Sequence, residues 1–545
     1  MSESVGPEDE IVWHYLTFET GLPQPAHLFQ PLSSETDNRQ PPPECPNLKK
    51  YTSPFLWSRK RKNLMTWLGC IATTITAYTA GAYAPGIDQM KQEWNISTPA
   101  AEVGIAVFTA GFGIAPMFLA PFSEINGRRP VILATGCLFV LFQLICALTP
   151  TFAGMLVARF LTGCACSPFS TMVGGVISDY YHAADRNWAM ALFTGGAIFG
   201  TGLGPLVSGF IAQHLDWRWI FRLQVCTTGV LILVVIVFFK ESRGSVLLSR
   251  KAKALNKWYD DLESAGYYGF LMPNSSAESL VSTEKSDRAT PQRIRWKVRS
   301  DEERATVVKM ITVSLYRPFH LLFTEPVVFF FSLWITLAWS ALYLLFSAVP
   351  LVYSTRYGFN TQQCGAVFAA ISVGSLIITP ISIYQEPLAR KYVTNEKYRE
   401  FLSTPEGRLL FCCVQSTLLP IGCFWFGWTC FSSIPWIVPT LGVACATMGI
   451  FSIYLAVFNY LADIYHKYAS SALAAQSFCR NMVGGSFPIY TPPLFNTLTY
   501  AGAGSFLGGI SLLLTVVPWI LVFYGPKIRA RSKIARELLV EKNAD

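Results

Sequence analysis

Stretches of about twenty residues with almost no charge recur along this chain, and the segments between them hold most of its polar residues. A helix of that length crosses the hydrocarbon core of a bilayer. The pattern predicts six spans at about 64–86, 103–124, 131–149, 152–177, 188–211 and 219–239. A polar segment follows, 240–320, and then six more spans at about 324–349, 363–384, 409–429, 435–458, 469–492 and 504–524. The third stretch is short for a span. A transmembrane barrel is excluded, because the apolar residues run together instead of alternating in short segments. The expected fold is an all-alpha membrane protein with twelve transmembrane helices in two six-helix, pseudo-symmetric halves. Residues 1–60, with the proline-rich RQPPPECP, read as a disordered cytoplasmic N-terminal tail. The rest divides into an N-terminal half (61–239), a cytoplasmic linker (240–320), a C-terminal half (321–526) and a cytoplasmic C-terminal tail (527–545).

Lysine and arginine set the expected orientation, since they gather in cytoplasmic loops. PGIDQMKQEWN, LDWRW and STRYGFN are poor in them, whereas NGRRP, AADRN, the 240–320 segment, LARKYVTNEKYRE and GPKIRARSKIAR are rich. Both termini and the linker are therefore expected in the cytoplasm. The hairpin 87–101 is expected outside, where Asn95-Ile96-Ser97 is a glycosylation acceptor. Asn274-Ser275-Ser276 has the same pattern but lies in the linker, so no glycan is expected there.

Composition agrees with this reading. The 545-residue chain is 52% hydrophobic, and its mean hydropathy is +0.36. Charged residues make up 14%, against about a quarter in soluble domains. The net charge of +9 follows from cytoplasmic loops, so no nucleic-acid partner is expected. MSESVGPEDE is acidic, and no apolar stretch follows it, so it does not read as a signal peptide. The fourteen cysteines sit mostly in apolar runs without ligand spacing and read as small buried hydrophobes. No metal, cofactor or ATP-binding loop is expected, and no nucleophile–base cluster suggests an enzyme.

Four motifs carry candidate chemistry. PFSEINGRRPV joins spans two and three; Gly127 permits a tight turn, Arg128 and Arg129 mark the membrane surface, and Glu124 is placed to pair with an arginine. Arg159 lies inside span four, where a charge is costly and needs a partner. Asp179 ends that span. The span-five stretch GGAIFGTGLGPLVSGF holds six glycines and Pro205. Gly196, Gly200 and Gly204 recur every fourth residue, so they share one face and let a neighbouring backbone approach. Arg480 is a second in-span arginine, and Arg222 a third, about one turn inside the outer end of span six, where its side chain is long enough to snorkel outward.

These motifs, in this order, resemble the major facilitator superfamily, and within it the fungal drug:proton antiporters with twelve spans, the polyamine and multidrug exporter-like subgroup. The likeness runs from about Pro54 to Lys533. The acid and Gly-Arg-Arg of the gating motif match at Glu124, Gly127, Arg128 and Arg129, while Ile125 and Ala120 depart from it. Arg159 and Gly163 match a motif linked to proton coupling. Gly200, Gly204, Pro205 and Gly209 match the antiporter motif of span five, with Ser208 in place of one glycine. YRPFHLLFTEP, with Glu325 and Pro326, begins span seven; Asp179, Glu325, Arg159 and Arg480 are the coupling candidates that the resemblance implies.

The cavity is expected among polar and aromatic groups within or at the ends of the spans: Tyr78, Tyr83, Gln143, Arg222, Gln224, Trp334, Trp339, Tyr343, Asn459 and Gln476. The subgroup often carries a glutamate in span seven, and here LFSAVP puts Ser347 at that position. No acid is expected mid-membrane; Glu124, Asp179, Glu325 and Asp88 lie near span ends. The expected function is secondary active, proton-coupled efflux of a small amphipathic organic compound such as a drug, toxin or secondary metabolite. The alternatives are an importer or a polyamine exporter of the same fold. Expected partners are a small organic substrate, protons and the lipid bilayer, with the protein working as a monomer. The expected site is the plasma membrane, with vacuolar or vesicular membranes as alternatives.

Overall fold

The computed structural model describes residues 10–25, 42–182, 185–265, 267, 269–271, 291–302, 307–465 and 468–531. Among them, ten helices are long and apolar enough to cross a membrane. They are preceded by Arg59–Gly81 (α1), a 23-residue helix whose first turn is basic. The ten are Thr98–Asn126 (α2), Arg128–Leu148 (α3), Phe152–Tyr180 (α4), Asn187–His214 (α5), Arg218–Phe238 (α6), Pro326–Tyr357 (α7), Thr361–Tyr392 (α8), Pro405–Thr429 (α9), Ile437–Tyr465 (α10) and Ser471–Ala530 (α11).

The local chemistry explains several boundaries. Ser58 caps α1, accepting from the Arg61 amide. Within α1 the hydroxyls of Thr66, Thr73, Thr74 and Thr79 each donate to the carbonyl one turn back, which hides their polarity from apolar neighbours. Pro326 opens α7 at a position where its missing N–H costs nothing, and Gly358 (φ 67°) closes it. Asn360 and Gln363 form a reciprocal capping box at the start of α8. Helix α2 begins at Thr98, about one turn before the expected start, and α3 begins at Arg128, which lengthens the short third stretch. The two spans expected at 469–492 and 504–524 both fall within α11, which runs for 60 residues. Its break comes at Thr499, with φ 63° and ψ 170°. All fourteen cysteines are free.

The first and second sets of helices meet through small residues and backbone acceptors. Ser372 and Ser375 of α8 donate to the Phe199 and Gly195 carbonyls of α5. Gly113 of α2 faces Asn481 of α11.

The tail read as disordered and the segment read as a plain linker contain a small folded unit. Val12–Tyr15 (β1) pairs in parallel with Ile294–Lys297 (β5). Gln24–Pro25 (β2), Phe270–Leu271 (β3) and Pro291–Gln292 (β4) make a second, antiparallel sheet. The helix Gly244–Ser264 buries Leu255, Tyr259 and Leu262 against Leu16, Ile294 and Trp296. Arg295 pairs with Asp260 and Glu263 at 2.7 and 2.8 Å, and the Trp296 indole donates to the Tyr259 hydroxyl. The tail departs from expectation because VWHY is a β-prone run whose partner strand lies far along the chain, so no local pattern marks the pairing.

Candidate functional site

Helix α5 organises the bundle through two glycine stripes. Gly196, Gly200 and Gly204 face α1. A Cβ on Gly204 would lie 2.5 Å from the Tyr78 carbonyl and 2.9 Å from the Ala82 amide, and one on Gly200 would strike the Thr74 carbonyl. Pro205 packs its Cδ where a Cβ on Gly81 would be. Gly195, Gly202 and Gly209, spaced by seven, face α8 instead; a Cβ on Gly209 would meet Gly365 Cα at 2.9 Å. Gly209 therefore belongs to a different contact from Gly200 and Gly204.

At the α2–α3 turn, Gly127 has φ +103°, and a Cβ there would collide with the Glu241 carboxylate. Only glycine suits that backbone and that approach. Glu124 is half-buried. Arg128, the first residue of α3, is buried; it pairs with Asp179 at 3.4 Å and donates to Ser123 Oγ at 2.8 Å. Gly175 leaves room for its guanidinium. Arg129 donates to the Ile236 carbonyl. At this same end of the bundle, Arg186 of the first half pairs with Asp463 of α10 at 2.9 Å, and Arg408 of α9 reaches the other oxygen of Asp463 at 3.0 Å. Glu325 is buried at the start of α7 and accepts from the Tyr465 hydroxyl at 3.2 Å.

Two buried arginines lie deeper, and they are held differently. Arg159 is 0% exposed, sits over the rings of Tyr83 and Phe108, and donates to the carbonyls of Gly104 and Thr79 at 3.3 and 3.4 Å. It ties α4 to α1 and α2. Nearby, the Gln143 amide donates to Thr79 Oγ1 and Gln224 Oε1, and Tyr78 is buried on α1. Arg480 is 1% exposed and sits over Trp339 at 4.6 Å, Tyr454 at 4.7 Å and Phe458 at 5.7 Å. Its Nε and Nη1 have no hydrogen-bond partner among the described residues. Trp339 stacks on Tyr454, and Tyr343 lies beside Trp339. Trp334 is buried more than one turn earlier in α7, against Phe331. Asn459 lines a separate cavity of about 50 Å³ with Asn187, Arg408 and Asp463.

No acid was expected mid-membrane; Glu102 lies in the second turn of α2, near its end, yet it is buried. Glu102 of α2 is 3% exposed, and the hydroxyl of Ser347 in α7 donates to its Oε1 at 2.6 Å. Its Oε2 has no partner among the described residues. The expected span began at 103; the real helix starts earlier and carries Glu102 into the bundle.

Some expected site residues stand apart. Arg222 is exposed and lies over the ring of exposed Trp219, on the face of α6 opposite to buried Gln224 and Thr228. On that face, it does not join the buried polar groups. Asn95 is exposed and closes the helix Ile87–Trp94 in a left-handed conformation, φ 50°. Asn274 lies outside the described residues.

Comparison with known proteins adds the family. The sequence profile of the Major Facilitator Superfamily matches residues 69–488. The chain belongs to the major facilitator superfamily. It is 30% identical over 481 residues to the efflux pump FUB11 of Gibberella moniliformis, covering 88% of this chain and 75% of that one. It is 29% identical over 490 residues to the multidrug transporter FLR2 of Candida glabrata, with 88% and 77% covered. The proton:xylose symporter XylE shares the fold at a TM-score of 0.58 and 16% identity, over 86% of this chain and 97% of XylE.

This major facilitator protein is thus a multi-pass membrane transporter related to fungal efflux and multidrug pumps. Its two helix sets meet through Glu102–Ser347 near the starting end of α2 and through Arg186–Asp463 at the other end. In a fold of two pseudo-symmetric bundles, contacts of that kind can form on one side while they break on the other. Glu102 and Tyr454 are the groups that sequence reasoning missed. Tyr454 falls within an apolar run, GIFSIYLAVFNY, and carries no local signal of a polar role.

Proposed function

We propose that this transporter exports a small amphipathic organic compound in exchange for protons. The observation that carries the coupling is Glu102. A carboxyl group buried between the two halves, with one oxygen free, can take a proton in one arrangement and release it in another. The groups facing it are the Ser347 hydroxyl on α7 and the ammonium of Lys91 on Ile87–Trp94, which pairs with Asp88 at 3.5 Å.

Export is favoured by the likeness to proteins named efflux pump and multidrug transporter. It is favoured as well by the glycine-lined α5, which matches the antiporter motif at Gly200, Gly204, Pro205 and Gly209. We assign the chain to the twelve-span drug:proton antiporters: α1 counts as a span, and α11 divides at Thr499 into two. Both termini then lie in the cytoplasm, and Asn95 faces outward at the plasma membrane. Arg128–Asp179 and Arg186–Asp463 act as latches on the cytoplasmic side.

Flux of an amphipathic substrate in proteoliposomes under an imposed pH gradient tests the proposal. A proton gradient directed inward, with the acid outside, should drive uphill export. Flux that is unchanged when both the gradient and the membrane potential are collapsed rejects proton coupling, and counterflow from either side separates export from import.

A further inference from the structure

We infer that Arg480, Trp339, Tyr454 and Gln476 form the substrate site, and that the substrate they take is an organic anion, an aromatic carboxylate in its simplest form. The inference rests on the transport reading above but names a chemistry that the reading leaves open.

The starting point is a charge without a counter-charge. Arg480 is 1% exposed, and among the described residues no acid pairs with it. A buried cation in a bundle of apolar helices is expensive unless something compensates it. Arg159 meets part of that need with two backbone carbonyls, which take Nε–H and Nη1–H and leave Nη2 without an acceptor among the described residues. Arg480 has only the π-faces of Trp339, Tyr454 and Phe458. Those faces attract a cation, but they give Nε–H and Nη1–H no acceptor.

Unmet hydrogen-bonding capacity gathers at the same place. Among the described residues, the Tyr454 hydroxyl has no partner, and neither end of the Gln476 amide has one. Gln476 lies one helical turn before Arg480 on α11, so both side chains share a face. One turn beyond, Gly484 leaves room for Trp339, whose Cδ1 would sit 3.2 Å from a Cβ there. Phe193 of α5 packs on Phe458, which brings the first half to the edge of the cluster. Buried polar groups in native proteins are nearly always satisfied, so a group of orphans beside one unpaired cation marks a place where a ligand completes the bonding. The missing ligand must accept hydrogen bonds and carry negative charge. Flat aromatic walls favour an apolar ring attached to that charge. The rings fill the space in this closed arrangement, and separation of the halves opens it.

The same chemistry excludes the polyamine alternative. A cationic substrate would meet the Arg480 charge, with no acid paired to it among the described residues to offset it.

Purified protein in detergent, followed by thermal unfolding with benzoate, benzamide and benzylamine, tests the site. These probes share a ring and differ in charge. Benzoate should bind at least about tenfold more tightly than the other two, as expected for hydrogen bonds to a charged group. Arg480→Gln should remove that preference and leave benzamide within about twofold. Arg480→Lys should keep part of it, and Tyr454→Phe should weaken benzoate several-fold with the ring stack retained. Equal binding of the three probes to the unaltered protein overturns the inference whether or not any variant folds. So does failure of benzoate to bind, or benzoate binding unaffected by Arg480→Gln. Benzoate selectivity that persists while its vesicular flux ignores the proton gradient leaves the site standing and rejects the coupling instead.

Discussion

The Ser347 hydroxyl donates to Glu102 Oε1 at 2.6 Å, joining a helix of the first half to a helix of the second. The resemblance implies a glutamate at position 347; here the acid stands across the interface, on α2, and the serine serves as its donor. Glu102→Gln keeps the shape and the bond to Ser347 but cannot exchange a proton. It should lower gradient-driven flux at least about tenfold, the loss expected when a group acting in proton transfer is removed. Substrate-for-substrate exchange should stay within about twofold. Proteoliposome flux with and without a pH gradient checks this, and equal losses in both modes refute the role.

Gly204 tests the packing of α5. A Cβ there meets the backbone of α1 at 2.5 and 2.9 Å, and backbone cannot rotate away as a side chain can. Gly204→Leu should cost several kcal/mol, above the ~1–3 kcal/mol typical of overpacking, and should abolish transport. Gly229→Leu, where nothing lies within 4 Å of a Cβ, should be near neutral. Thermal unfolding of both variants in one detergent gives the comparison, and similar midpoints would contradict the close approach.

How much of this was legible in the sequence depends on how local each signal is. The helices and the first glycine stripe were legible because their spacing repeats within one segment. The second stripe, Gly195, Gly202 and Gly209, went unread because its period of seven is masked by the denser period of four. Glu102 was lost to a boundary: one turn of helix decides whether it counts as a loop acid or a buried one. Arg480 was visible as an in-span charge, and Trp339 and Gln476 as polar members of apolar runs. Their convergence with Tyr454 was not visible, since it requires three helices to pack. The β1–β5 pairing joins residues too far apart in the chain for any periodicity to register.

Glu93 gives a pH-dependent prediction outside the membrane-spanning segments. Its carboxylate accepts from Arg218 at 2.6 and 2.8 Å and from the Trp217 indole at 2.8 Å. The hydrogen bonds from Arg218 hold it below its ordinary value of 4.5, against the smaller opposing effect of burial. A depressed carboxyl stabilises the fold fully above pH 4.5, and that contribution is lost as the pH falls through the lower folded value. The pair is partly exposed, so its worth is only about 0.5–1 kcal/mol. Unaltered protein should outlast Glu93→Gln by that small margin at pH 7, and the margin should close in strongly acidic buffer. A gap that widens on acidification contradicts the assignment.

The last prediction joins the two buried sites through charge. If Arg480 carries an organic anion outward and Glu102 carries one proton inward, each cycle moves two positive equivalents toward the cytoplasm. One equivalent across 100 mV is worth about 2.3 kcal/mol, so two contribute about 4.6 kcal/mol. At about 1.4 kcal/mol per decade, that supports a gradient of roughly three decades from potential alone. A neutral analogue on the same machinery moves one equivalent and gains about half as many decades. Vesicles with the potential clamped by a potassium gradient and ionophore should therefore show benzoate accumulation twice as steep in potential as benzamide accumulation, at equal pH on both sides. Identical slopes would mean that the substrate crosses uncharged, and the Arg480 site would lose its anion. A zero slope for benzamide would remove the proton from the cycle and leave the anion driven by the potential alone.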